Sequence, residues 1–206
     1  MFRQRAPRSA AQRFAMAVVA ALTLALGYYL GSRLAGPGGY TPSSPQALAA
    51  TDEPRQVADL ALTDHFGNPF GAEQLAGRWS LLAFVHAADV QQVRAALTRL
   101  VFVHNQLVDR PALQKTFRGL VVALDAVTDP AQLRDLVDID SADFVGLSGD
   151  PDVVAGLVPA SARGTAAGWL ALVDPQRRLV GWFTPDTPPA TIAGDIKALA
   201  RAPRAD

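Results

Sequence analysis

No cysteine occurs among the 206 residues. Thiol–disulfide exchange, thiolate nucleophilic catalysis and thiolate ligation of a soft metal all need a sulfur that ionises, so each is excluded. No disulfide can cross-link the fold, which must therefore hold by packing alone. Histidine is scarce as well. His65, His86 and His104 are the three in the chain, far apart and without the spacing of zinc ligands. There is no G-x-S-x-G elbow and no recognisable Ser/His/Asp arrangement. Gly36–Gly39 and Gly164–Gly168 lack the strand–loop–helix order that cradles phosphate. These absences argue against an enzyme and against a bound organic cofactor.

A net charge is missing too: 19 basic residues balance 19 acidic ones. The distribution is uneven. Arg3, Arg5, Arg8 and Arg13 precede any acid, and the rest of the chain is left four charges negative. A nucleic-acid surface, which needs a basic face, is not expected.

What is present begins with an uncharged run, Phe14 to Ser32 (FAMAVVAALTLALGYYLGS). Nineteen residues at about 1.5 Å each reach roughly 28 Å, close to the hydrocarbon thickness of a bilayer. Tyr28 and Tyr29 lie where an interfacial aromatic belt would be, and the preceding arginines favour the cytoplasmic side. The pattern predicts a basic cytoplasmic tail over 1–13, a transmembrane anchor over 14–33 and a flexible linker over 34–55, rich in Gly, Pro, Ser and Ala. A folded domain is expected over 56–202, facing the periplasm from the inner membrane. A cleaved signal peptide is the alternative, and the bulky Tyr28-Tyr29-Leu30 disfavours it.

Within the domain, Val57–Leu62, the turn-forming Asp64–Asn68 and Pro69-Phe70 suggest a hairpin. Trp79–His86 is a continuous apolar run suited to a central strand. Val93, Leu97, Leu100, His104 and Leu107 form one stripe of a helix over 89–109. Gly119–Asp125 is a second buried strand. Asp129-Pro130 and Asp150-Pro151 each open a helix, with the acid as N-cap and proline at the first helical position. Phe144–Leu147, Trp169–Val173 and Leu179–Phe183 are further strands, and Thr187-Pro188 caps a last helix ending near Ala200. The order ββ, β-α-β-α-β-α, β-β-α predicts a mainly parallel sheet with an antiparallel edge. That is a thioredoxin-like three-layer α/β/α sandwich with an N-terminal hairpin.

Four stretches, in this order, resemble the Sco/SenC family of membrane-anchored thioredoxin-fold copper proteins, which help build cytochrome c oxidase. They are LALTDHFGNPFGAEQLAG (Leu60–Gly77), LLAFVHAADVQQV (Leu81–Val93), ALDAVTDP (Ala123–Pro130), and Leu170–Leu179 with the closing helix. The likeness spans roughly 57–200 and includes the preceding anchor. It implies a protein partner in respiratory-complex assembly. It also implies a copper site of two cysteines and a histidine. Matched residue by residue, the cysteines fall on Asp89 and Val93 and the histidine near Ala166. Asp125 and Asp129 match the family's two aspartates. With no thiol, the resemblance implies the scaffold without its redox or Cu(I) chemistry: an accessory or scaffold protein.

Two other readings compete. His86, Asp89 and Asp125, with Asp129, follow neighbouring strands and would suit a hard or borderline metal ion. The same aspartates are equally well explained as N-caps (Asp89, Asp129) and a turn residue (Asp125). Alternatively, the vacated cleft takes a small hydrophobic or haem-like ligand, with Val90 and Val93 making it less polar. His104 is expected in or near the core and His65 in solvent. Trp169, Trp182 and Phe183 lie on the last hairpin, one tryptophan packing inward.

Overall fold

In a computed structural model, the structure describes residues 44–58, 60–127, 130–137, 141 and 143–201. The expected tail (1–13), anchor (14–33) and most of the linker, with Asp129, lie outside these residues. Among the described residues no helix is long and apolar enough to cross a membrane.

Eight strands form one sheet: β1 (Ala49–Gln56), β2 (Leu62–Asp64), β3 (Pro69–Phe70), β4 (Trp79–Val85), β5 (Phe117–Ala123), β6 (Phe144–Gly149), β7 (Leu170–Val173) and β8 (Arg178–Phe183). Their spatial order is β1-β8-β7-β4-β5-β6-β2-β3. The helices are α1 (Val90–Gln106), α2 (Pro111–Thr116), α3 (Pro130–Val137), α4 (Pro151–Ala155) and α5 (Pro189–Leu199).

The apolar run WSLLAFV becomes β4, and all seven residues are buried. Alternation along it serves two cores. Leu81, Ala83 and Val85 join Phe117 and Val121 beneath α1 and α5, whereas Leu82 and Phe84 join Leu120 and Val122 on the opposite face with Val154, Leu157 and Val158. A strand covered on both faces is apolar throughout, because neither set of side chains meets water. The α1 stripe holds as expected: Val93, Leu97 and Leu100 are buried, and the His104 ring lies against Phe117 and Phe144.

Several expectations change. The sheet is mixed. Only β4–β5 and β5–β6 pair in parallel, and β7 runs antiparallel to β4 as well as to β8. The expected linker over 34–55 overlaps a strand: β1 pairs with β8, from Ala49↔Trp182 to Gln56↔Arg178. Its backbone comes so close that a Cβ on Gly181 would sit 2.5 Å from the Ala49 carbonyl oxygen. Thr187 does not cap α5. Pro188 is the N-cap residue, Pro189 takes the first position, and the Thr187 hydroxyl pairs with that of Thr184 at 3.1 Å. The short α2 was not anticipated, because its six residues bury none of their side chains and leave no apolar period.

Candidate functional site

The carboxyl ends of β4, β5 and β6 converge where ligands bind in open α/β sheets. His86 directly follows β4. Three residues on, Asp89 takes an extended conformation and its Oδ1 accepts the Gln91 and Gln92 amides at 3.0 and 3.1 Å. This is a helix N-cap, which satisfies donors that the first turn cannot pair internally. Gln92 reaches back, its Oε1 accepting the His86 N–H at 3.1 Å. Asp125 follows β5. Its Oδ1 accepts the Ala87 N–H at 2.9 Å and so ties the β4–α1 loop to the neighbouring strand.

Of the residues named as metal ligands, His86 and Asp125 come together: Nδ1 and Oδ1 are 3.9 Å apart, with side chains 54% and 39% exposed. The Asp89 carboxylate is engaged as the α1 cap, and Asp129 lies outside the described residues. Among the described residues no group of three or more His, Cys, Asp or Glu side chains is close enough to hold a metal ion.

The positions that the resemblance assigns to copper ligands carry other jobs. Asp89 caps α1, Val93 is fully buried in the core under α1, and Ala166 is 6% exposed in the opposite core. A carboxylate turned to backbone amides and two buried aliphatic side chains offer no soft donor, and both methionines, Met1 and Met16, precede the described residues. The donor set does not fit Cu(I).

A cavity of about 370 Å³ opens beside His86 instead. Leu124, Pro151, Ala155, Val158 and Ala166 make its apolar wall, and Asp152 and Arg163 also line it. The expected participation of Val90 and Val93 is corrected: Val90 is exposed at the start of α1 and Val93 points into the core. α4 contributes because Asp150 caps it, accepting the Asp152 N–H at 2.9 Å, with Pro151 at its first position.

His65 is not in solvent. It is 4% exposed, its Nδ1 accepts the Gly146 N–H at 3.1 Å, and its ring lies 4.1 Å from that of Phe66. That hydrogen bond ties β2 to β6, so its role is architectural. Phe183 is fully buried, and the Trp182 indole donates to the Leu157 carbonyl at 2.9 Å.

Sequence reasoning missed two residues that anchor distant parts of the fold, Arg99 and Asp195. Arg99 on α1 donates to the carbonyls of Gly168 (3.0 Å), Thr184 (2.7 Å) and Thr187 (2.8 Å), closing the loops at one end of the sheet. Burial lowers its pKa from the ordinary value, and Asp186 opposes that shift. Asp195 on α5 is fully buried, and its two oxygens accept the amides of Gln46 (2.7 Å), Ala47 (2.8 Å) and Leu48 (2.9 Å). The one signal for it was an acid in the middle of the largely apolar PATIAGDIKAL.

Comparison with known proteins converges on one family. A model of SCO1/SenC matches residues 49–162. A Stutzerimonas stutzeri protein named for copper binding is 30% identical over 142 residues, covering 62% of this chain and 68% of that one. The fold is similar to that of yeast Sco1 with copper bound (TM-score 0.60, 20% identity, 74% of this chain and 97% of the other). It is also similar to BsSco, a member of the Sco family of cytochrome c oxidase assembly proteins with an identified disulfide switch (TM-score 0.56, 17% identity, 77% and 100%). With this topology and these matches, the chain belongs to the SCO1/SenC family.

Proposed function

We propose that this chain is an accessory or scaffold protein of cytochrome c oxidase or respiratory-complex assembly that works by protein contact, without thiol exchange or Cu(I) transfer. The observation that carries this reading is the fate of the ligand positions: Asp89 is a helix cap, and Val93 and Ala166 are core residues. The fold is kept while the chemistry that needs a soft donor has no atoms to run on. The apolar run Phe14–Ser32 behind four arginines supports a single anchor in the inner membrane with the domain in the periplasm, beside the complex it would serve.

The test is capture. The tagged full-length chain, isolated from solubilised membranes of its own host, is expected to bring down oxidase subunits or assembly factors and to carry far less than one copper per chain. Absence of any respiratory component across detergents would overturn the reading.

A second reading, a carrier of a hard or borderline cation, rests on the 3.9 Å approach of His86 to Asp125. Two partly exposed ligands leave most of a coordination shell to water. Titration of Zn²⁺ or Cu²⁺ separates the two readings. Saturable heat that His86→Ala abolishes would favour the carrier.

A further inference from the structure

We propose that the cavity beside His86 is a binding site for a small amphiphile with one carboxylate head and an apolar body. This goes beyond the assembly role and does not depend on it. The cavity lies at the carboxyl ends of the parallel strands, and its volume of about 370 Å³ falls within the ordinary range for ligand pockets. At about 30 Å³ per water-sized group, it holds roughly a dozen non-hydrogen atoms.

Its chemistry is two-sided. Leu124, Pro151, Ala155, Val158 and Ala166 present hydrocarbon, and water there is readily displaced by an apolar group. Arg163 supplies the cationic side, and the His86 imidazole adds a polar edge. Arg163 is exposed and has no ion-pair partner among the described residues. A guanidinium matches a carboxylate as a two-pronged donor. Asp152 is the acid in the lining, so the site suits one negative charge and disfavours a multiply charged anion. An apolar ligand without a charge would leave Arg163 unused, and a cation would be repelled by Arg163. The site is held from three sides. Asp125 fixes the loop that carries His86, Asp150 caps α4, and the Thr165 N–H donates to the Ala162 carbonyl at 2.9 Å across the turn holding Arg163 and Gly164.

Calorimetric titration of the full-length chain in nanodiscs, with empty nanodiscs subtracted, tests this. The probes are 2-naphthoate, 2-naphthylmethanol and 2-naphthylmethylamine, which share one apolar body and differ in charge. The expected result is saturable, one-to-one binding of the naphthoate, at least tenfold tighter than the alcohol, with the amine weakest. Arg163→Gln should weaken the naphthoate about tenfold and leave the alcohol unchanged. Ala155→Phe, which fills the cavity, should abolish both. No saturable naphthoate binding, equal binding of all three probes, or undiminished naphthoate binding by Arg163→Gln would overturn the proposal. Should Ala155→Phe fail to fold, the Arg163→Gln variant at an exposed position still decides.

Discussion

Two regions of this molecule turn aspartate carboxylates onto backbone amides, two residues in one region and one in the other, with different consequences. At the carboxyl ends of β4 and β5, Asp89 and Asp125 accept amide hydrogens at a partly open edge next to a cavity. At the other flank, Asp195 does the same with both oxygens and three amides while fully buried, and it joins the segment before β1 to α5. Equivalent chemistry makes a helix cap and a loop tie in one place and a clasp between distant ends of the domain in the other. Solvent makes the difference. The Asp125 carboxylate is partly open to water, whereas that of Asp195 is fully buried and has only its three amides to satisfy it.

That contrast sets the order of effects. Asp195→Ala should be the most damaging, by about 2–4 kcal/mol, because one fully buried carboxylate serves three part-buried amides at once. Urea unfolding gives the loss, and hydrogen exchange should quicken first at Gln46–Leu48. A loss below 0.5 kcal/mol would erase the distinction between the two regions. Arg99→Met should come next, at about 1–3 kcal/mol, since it removes a charged donor from three carbonyls while keeping some of the apolar stem. Asp89→Ala should lower stability by about 1 kcal/mol, the usual worth of an N-cap, and Asp89→Ser should restore most of it. Restoration by serine marks a cap, because a metal ligand would not be replaced by a neutral hydroxyl. His86→Ala should change stability by less than about 0.5 kcal/mol, as expected of a half-exposed side chain whose carboxylate neighbour is 3.9 Å away.

The sequence was legible where one physical force dominated. Continuous hydrophobicity marked β4 and β5, the three-and-four spacing marked α1, and the Asp-Pro pairs marked the starts of α3 and α4. It was illegible where distant parts decide the outcome. Ala49–Gln56 is polar and contains Pro54, and seven of its eight residues are exposed, so nothing local announces a strand. Its order comes from β8 and from Asp195, nearly 150 positions away. His65 looked like a turn residue because its acceptor role depends on Gly146 of β6. The site was only partly legible: of the three residues named as metal ligands, His86 lines the cavity while Asp89 and Asp125 hold backbone amides, and the cavity wall from α4 to Ala166 needed the fold to bring it beside His86.

The account turns on whether a Sco-type fold with Asp89, Val93 and Ala166 at the ligand positions can hold copper. The most direct measurement is the copper-to-protein ratio of the full-length chain purified from its own host, repeated after equilibration with Cu(I) under a competing chelator. The account predicts a ratio far below one in both. One tightly held copper per chain would contradict it.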